Sequence, residues 1–189
     1  MKLIFLRHGI AEEKGNVDDF DRKLTPKGIE KLNKYLPYLA AYLEKKDPEI
    51  WSSPKVRADE TAQLLKENLF ETEIIYKDFI ASGDLGKLDE ELSQTEEKTI
   101  VLVGHEPFLS AWTREITGEE VGIKKGGALE IEYYPEDSGN DILNWEYSLK
   151  NFEEIIAREK KILKKLKMKK PFLIDFQKNA KKVGYIPTF

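Results

Sequence analysis

The stretch Leu3-Ile4-Phe5-Leu6-Arg7-His8-Gly9 decides the fold of this 189-residue chain. Four consecutive apolar residues are typical of a buried strand, and the arginine, histidine and glycine that follow mark its end. In open α/β sheets, ligands gather at the carboxyl ends of strands. A glycine there lets backbone amides approach an anion closely. We therefore expect Arg7, His8 and Gly9 to lie at a ligand site.

The second of the two histidines in the chain occupies the same kind of position. His105 follows Thr99-Ile100-Val101-Leu102-Val103-Gly104, an apolar and β-branched run that predicts a central strand. One histidine at a strand end is often only a hydrogen-bonded structural residue. Two histidines that both end apolar strands beside a glycine favour a functional interpretation.

A third block supplies a second arginine. Ser53-Pro54-Lys55-Val56-Arg57-Ala58-Asp59-Glu60-Thr61-Ala62 follows the short apolar run Ile50-Trp51-Ser52 and opens a helix. Arg57 therefore lies close to a strand end, as Arg7 does.

Together the three motifs resemble those of the histidine phosphatase superfamily. They are Arg7-His8-Gly9, the signature within Ser53–Ala62, and Gly104-His105-Glu106-Pro107. Each motif alone is weak, but the three in this order are specific, and they look like the small phosphohistidine phosphatase branch, SixA. The resemblance covers residues 1–149 and implies a phosphoglycerate mutase-like fold.

The order of predicted elements independently favours a three-layer α/β/α fold with a mostly parallel, mixed central sheet. Helices are predicted over about 26–46, 56–68 and 85–94 and after Pro107. Thr25 and Pro26 suit the start of the first helix, and Pro37 is predicted to interrupt it. Residues 79–84 are predicted to form a loop facing the site.

Two stretches of alternating apolar and polar residues follow near the end of the core. They cover 128–133 and part of 142–149, and the turn-rich segment 135–140 separates them. This pattern predicts a β-hairpin, so the sheet is expected to be mixed.

Charge is divided unevenly along the chain. The formal net charge is −4, with +8 on residues 150–189 and −12 on residues 1–149. We therefore expect a catalytic domain over 1–149 and a basic C-terminal helical extension over 150–189. The overall charge carries no general signature of a nucleic-acid binder.

The chain contains no cysteine, which excludes disulfides, thiolate metal ligands and cysteine nucleophiles. Its first apolar run is too short for a secretory signal, and no run approaches transmembrane length. We expect a cytoplasmic protein with no membrane partner.

The extension is predicted to contain a basic amphipathic helix that ends at Pro171, followed by the apolar segment 172–176. Such a segment should dock on another surface. Its partner could be the acidic body of the same chain, a second copy in a homodimer, or an acidic protein or nucleic acid. Nucleic acid is disfavoured because no aromatic stacking module accompanies the basic run.

Phosphoryl transfer requires the residue types that the motifs supply. Fixed donors must meet the negative charge on the phosphoryl oxygens, and Arg7 and Arg57 can each hold two of them. A protonated His105 adds a third cationic donor. An unprotonated His8 can attack phosphorus and form an intermediate that water hydrolyses, the role that the resemblance also assigns to it. The predicted phosphate-binding residues are thus Arg7, Gly9, Arg57 and His105, and the resemblance further implies that backbone at Gly9 holds the other ring nitrogen of His8.

Metal binding is the competing interpretation of two histidines near carboxylates. Two arginines in the same place would repel a cation. We therefore expect neither a metal ion nor any other cofactor.

Four carboxylates are candidates for a proton donor to the leaving group: Asp18, Asp21, Asp84 and Glu106. Each is better explained as a solvated or helix-capping side chain than as the acid. A phosphorylated imidazole can protonate on its own ring near neutral pH, since the reference pKa of histidine is about 6.5, whereas an alkyl ester cannot. A weak donor thus favours a phosphoramidate substrate.

The sequence therefore predicts a phosphohistidine phosphatase that acts on a phosphorylated protein in signal transduction through a covalent phospho-His8. One alternative is a phosphatase for a small phosphate ester or phosphoanhydride. Another is a non-catalytic phosphate-binding module recruited through its basic extension. In each case phosphate-like or sulfate-like anions are the expected ligands.

Overall fold

Six strands and five helices make up the described part of the computed structural model, which covers residues 1–15, 17–43, 46–69, 71–96, 99–134 and 141–147. The strands are β1 (Lys2–Arg7), β2 (Glu49–Ser52), β3 (Ile74–Tyr76), β4 (Thr99–Gly104), β5 (Ala128–Glu132) and β6 (Ile142–Tyr147). The helices are α1 (Pro26–Leu43), α2 (Val56–Lys66), α3 (Asp78–Ser82), α4 (Leu85–Gln94) and α5 (Phe108–Thr117).

One six-stranded sheet, in the order β3-β2-β4-β1-β5-β6, forms the centre of the fold. Strands β1 to β4 run parallel, whereas β5 pairs antiparallel with both β1 and β6. The register places Arg7 opposite Gly104, and Ser52 opposite Val103. The carboxyl ends of β1, β2 and β4 therefore lie level at one edge of the sheet, so the residues that follow them are neighbours.

Side chains of the central strands alternate between two apolar layers. Leu3 and Phe5 of β1 pack in the cluster that includes Trp112 of α5, whereas Ile4 and Leu6 pack in the cluster with α1 and α2. Every residue of β4 is buried, which explains its unbroken apolar sequence. The predicted three-layer α/β fold with a mixed sheet is confirmed.

Helix α1 begins as predicted but continues through the predicted interruption. The Thr25 hydroxyl accepts a hydrogen bond from the Gly28 amide at 3.1 Å, and Pro26 occupies the first helical position. Pro37 lies inside the helix and is exposed. A proline removes one helical hydrogen bond, but the buried apolar face of α1 holds the helix together across that point. The interruption predicted at Pro37 is wrong.

The segment predicted as a loop over 79–84 contains a short helix instead. In α3, Phe79 and Ile80 point into the core. Gly83 ends α3 in the left-handed conformation, and its amide donates to the Phe79 carbonyl. Asp84 then caps α4, accepting from the Lys87 amide. A helix forms there because it buries Phe79 and Ile80 together, and it ends where Gly83 adopts the left-handed conformation.

The predicted C-terminal hairpin is confirmed as β5 and β6. The predicted turn over 135–140 and extension over 150–189 lie outside the described residues, so the division at residue 149 and the homodimer contact remain predictions. Among the helices of the described ranges, none combines the length and apolar character needed to cross a membrane.

Replacing Gly28 with Ala should destabilise the fold, because a Cβ there would lie 2.2 Å from the Ile10 carbonyl oxygen. Overpacking of this kind costs about 1–3 kcal/mol, and the midpoint of urea unfolding should fall accordingly. Gly122→Ala is the matched control, since a Cβ at Gly122 meets nothing within 4 Å. Equal stability of the two variants would contradict this close approach of α1 to the strand end.

Candidate active site

Two strand ends and the start of a helix bring the predicted site residues together. His8 follows β1, and its amide donates to the Gly104 carbonyl at 3.1 Å. His105 follows β4, and the two imidazole centroids are 5.1 Å apart. Arg57 lies in the first turn of α2, with its Nε 3.2 Å from Nε2 of His8. All three side chains are buried, which shields them from bulk water.

The hydrogen bonds of His8 determine which ring nitrogen carries the proton. Nδ1 lies 2.7 Å from the Gly9 carbonyl oxygen, which can only accept. Nε2 faces Nε of Arg57, which can only donate. Nδ1 therefore carries the hydrogen, and Nε2 presents a lone pair.

Burial keeps the His8 ring uncharged as well as oriented. It lowers the pKa of His8 to about 3. The hydrogen bond to Gly9 opposes this shift, whereas the positive charges of Arg57, Arg7 and Arg22 add to it. At neutral pH the lone pair on Nε2 is available for bonding.

Gly9 holds the histidine rather than offering its amide to a ligand. Its carbonyl accepts from His8, and its amide donates to the Thr61 hydroxyl at 3.2 Å. The Thr61 hydroxyl in turn donates to the Arg57 carbonyl at 2.7 Å. A Cβ at Gly9 would lie 2.6 Å from the Leu32 side chain, which would have to shift to admit it. The expected backbone contact to His8 is therefore present, whereas the amide predicted to bind phosphate already has a protein partner.

Arg7 is anchored through the segment that follows α5. Its Nη1 donates to the Ile123 carbonyl at 2.7 Å, and the Ile123 amide donates to the Glu106 carboxylate at 2.9 Å. Glu106 also accepts from Ser110 at 2.6 Å. Glu106, a predicted candidate for the proton donor, thus serves as an acceptor that supports Arg7. Nε of Arg7 is buried and has no hydrogen-bond partner among the described residues.

The two ring nitrogens of His105 differ in their hydrogen bonds to the described residues. Nε2 lies 2.8 Å from the Ser53 hydroxyl, whereas Nδ1 is buried without a partner in the described part of the chain. Burial and then the positive potential of the site lower the pKa of His105 to about 2. The structure therefore favours a neutral His105, where the sequence predicted a charged one.

Asp19 is a carboxylate in contact with Arg57 that was not among the candidates from the sequence. Its Oδ2 accepts from Nη2 of Arg57 and Nζ of Lys55, each at 3.1 Å, and its Oδ1 accepts from Nη1 of Arg22 at 2.7 Å. Burial alone would raise the pKa of Asp19, but the hydrogen bonds from Arg22, Lys55 and Arg57 hold it well below its usual range. Asp19 is therefore ionised and unsuited to donate a proton.

The other predicted proton donors have structural positions or lie exposed. Asp18 accepts from the Phe20 amide at 2.8 Å in an exposed turn, and Asp84 caps α4. Asp21 is exposed. Histidine, aspartate and glutamate side chains of the described ranges form no group of three that could hold a metal ion.

Sequence reasoning missed the residues that support the pocket rather than form it. Thr61 and Glu60 lie in the Ser53–Ala62 motif, but their contacts are visible only in the structure. Thr61 accepts from the Gly9 amide, and Glu60 accepts from the Leu24 amide at 2.6 Å. Asp19 stands beside Asp18 in an acidic stretch of the sequence, and no periodicity distinguishes the two. Arg22, in the same loop as Asp19, is only 9% exposed. This burial, which shows that the loop packs on the protein, is visible only in the structure.

Comparison with known proteins supports the same family as the motifs. A family model described as histidine phosphatase superfamily (branch 1) matches residues 3–97. An uncharacterised protein from Picosynechococcus sp. is 33% identical over 138 residues, which are 68% of this chain and 83% of that protein.

Solved phosphatase structures share the fold. The protein histidine phosphatase SixA, complexed with tungstate, matches with a TM-score of 0.70 at 21% identity, over 80% of this chain and 99% of the other. Phosphoserine phosphatase from Entamoeba histolytica, in complex with 3-phosphoglyceric acid, matches with a TM-score of 0.59 at 22% identity, over 78% and 96% of the two chains. At these identities the likeness establishes the fold.

Both histidines should stay neutral well below pH 6.5, because burial depresses both pKa values. Histidine NMR titration, with resonances assigned by single substitutions, should show no midpoint between pH 8 and 5. The unfolded state then binds more protons than the native state, so the free energy of unfolding should fall as pH drops from about 6.5 towards 3, by about 1.4 kcal/mol per pH unit for each histidine. A midpoint near 6.5 for either ring would contradict the burial described above.

Proposed function

Since this chain belongs to the histidine phosphatase superfamily and is thereby a phosphatase, we propose that it dephosphorylates a protein phosphohistidine through a covalent intermediate on His8. The observation that carries the proposal is the pair of hydrogen bonds that leaves Nε2 of His8 unprotonated, with its lone pair facing Arg57. A neutral imidazole nitrogen is the nucleophile that this chemistry requires.

In the first step, Nε2 of His8 attacks phosphorus in line with the leaving nitrogen of the substrate. A bond forms between phosphorus and Nε2, and the phosphoramidate bond of the substrate breaks. When the lone pair forms the new bond, Nε–H of Arg57 loses Nε2 as its acceptor and donates its hydrogen bond to a phosphoryl oxygen instead, and Arg57 stays protonated. The leaving imidazole departs neutral with the proton that its ring already carries.

The developing charge on the phosphoryl oxygens meets donors that are already buried. Arg7 and Arg57 provide planar guanidinium groups. The Ser53 hydroxyl accepts from the Lys55 amide and can donate its own proton to Nε2 of His105. In that tautomer Nδ1 of His105 carries a hydrogen and, with Nε of Arg7, is a buried donor that lacks a partner among the described residues. His105 thus contributes as a neutral donor.

In the second step, water attacks the phosphoryl group on His8. The bond to Nε2 breaks, the proton of the water passes to the released phosphate, and the lone pair is restored. The Gly9 carbonyl holds Nδ1–H through both steps, so the ring keeps the same orientation.

The placement of the carboxylates supports a phosphoramidate over an alkyl ester. Asp18 and Asp84 hold backbone amides in exposed turns, Asp21 is exposed, and Glu106 accepts two hydrogen bonds that support Arg7. A leaving alkoxide would need an acid from this set, whereas imidazole does not. The shared fold with SixA is consistent with this preference.

A phosphatase for a small phosphate ester is the second candidate, because the fold is also that of the Entamoeba histolytica phosphoserine phosphatase. A non-catalytic binding module is set aside, since family membership makes the chain an enzyme.

Replacing His8 with Ala should abolish phosphate release, because no other lone pair lies in the same place. Binding of inorganic phosphate should persist, since Arg7, Arg57 and His105 remain. Phosphate release and phosphate affinity measured on the same preparation check this result. Turnover retained in His8→Ala would remove His8 from the nucleophile role.

Phosphohistidine peptides should be better substrates than phosphoserine peptides of matched charge. We expect kcat/KM to differ by more than about tenfold, or about 1.4 kcal/mol of transition-state stabilisation, because the candidate carboxylic acids in the described part of the chain are engaged or exposed and do not assist an alkoxide leaving group. Equal or higher kcat/KM for phosphoserine would favour the small-ester alternative instead.

A further inference from the structure

The guanidinium group of Arg57 is held on two sides. Nε donates to His8, and the opposite edge faces Asp19, with Nη1 donating to the Asp19 carbonyl and Nη2 to its carboxylate. An arginine side chain has many rotamers, and fixing it costs conformational entropy. Asp19 therefore restrains the outer edge of Arg57 while the inner edge faces the nucleophile.

Asp19 is itself fixed by two further cations. Arg22 binds Oδ1 and Lys55 binds Oδ2, and Nε of Arg22 also donates to the Glu12 carbonyl at 2.8 Å. The loop that contains Asp19 and Arg22 also contacts the helix that carries Arg57, because the Val56 amide donates to the Phe20 carbonyl at 3.1 Å. These contacts define a clamp made of Asp19, Arg22 and Lys55.

The negative charge of Asp19 offsets the mutual repulsion of the positive charges around it. Arg22, Lys55 and Arg57 share a single carboxylate, and each would repel the others without it. Removing the carboxylate should therefore release Arg57 from its present orientation. The side chain of Asp19 is 38% exposed, so its contribution depends on geometry as well as on charge.

We propose that Asp19 is a positioning residue, which acts on the reaction only through Arg57 by holding its guanidinium edge towards His8 and the phosphoryl group. Arg22 and Lys55 belong to the same device, because they hold Asp19. The inference rests on the proposed role of Arg57 in binding the phosphoryl oxygens, and it assigns Asp19 no direct contact with substrate.

A rival interpretation gives the opposite result. In this interpretation the cations around Asp19 bind the phosphate directly, and the carboxylate of Asp19 competes with it. Removal of the carboxylate would then tighten anion binding. A positioning role predicts weaker anion binding in a variant without the carboxylate. The hydrogen bonds to the anion that a misdirected Arg57 loses outweigh the repulsion that is relieved when one negative charge is removed.

A double-mutant cycle in the full-length protein separates these interpretations. Asp19→Asn, Arg57→Ala and the double variant are compared for affinity towards inorganic phosphate and vanadate, read from the NMR signals of the two histidines, and for kcat/KM. Glu13→Gln is the matched control, since it removes one exposed carboxylate from the same loop. Lys55→Met loosens the clamp while leaving Asp19 in place, and thermal unfolding verifies that each variant is folded.

We expect Asp19→Asn to weaken phosphate and vanadate binding and to lower kcat/KM by about tenfold or more, the size of loss expected from a misplaced catalytic group. In the Arg57→Ala background the same substitution should change affinity by less than about twofold, because the partner is already absent. Lys55→Met should show a smaller loss in the same direction, and Glu13→Gln none.

Tighter anion binding in Asp19→Asn, or an equal loss in both backgrounds, would overturn the proposal. The affinity measurement does not require turnover. Coupled affinities in a chain that hydrolyses no phosphohistidine would refute the proposed function alone, whereas turnover with uncoupled affinities would refute the positioning role alone.

Discussion

The pair of hydrogen bonds that fixes the His8 ring is the constraint on which the rest of the site depends. A carbonyl at Nδ1 and a guanidinium at Nε2 leave one possible tautomer, and burial removes the charged form. Each bond needs its own support. Gly9 is held by Thr61, and Arg57 is held by Asp19. Residues far apart in the chain therefore act together to keep the Nε2 lone pair of His8 in one orientation.

The sheet explains how such distant residues meet. Because β1 and β4 run parallel and in register to their last residues, His8 and His105 emerge side by side. Strand β2 ends beside β4 and leads through Ser53 into the helix of Arg57. Burial of both faces of β4 keeps this edge rigid, since any shift of the strand would move apolar side chains out of two packed layers.

Much of the fold could be predicted from the sequence because its signals are local. The apolar run 99–104 predicts a buried strand, Thr25 and Pro26 mark a helix start, and alternation predicts the hairpin, all of which the structure contains. The errors arose where packing overrides local preference. Helix α1 passes through Pro37 because its opposite face is buried, and Phe79 and Ile80 form a helix because the core accepts them.

The sequence motifs identify the side chains at the pocket but not their environment. Charge on His105 was predicted from its proposed role, whereas burial beside His8 and Arg57 lowers its pKa. Asp19 could not be distinguished from its acidic neighbours, because its importance comes from three cations that meet only in the fold: Arg22 of the same loop, and Lys55 and Arg57 at the start of α2. The most direct test of the account is to quench the enzyme during turnover of a phosphohistidine peptide and to determine by 31P and 15N NMR which ring nitrogen carries the phosphoryl group. The phosphoryl group is expected on Nε2 of His8. A phosphoryl group on Nδ1 or on His105, or no phosphoenzyme under conditions that accumulate product, would contradict it.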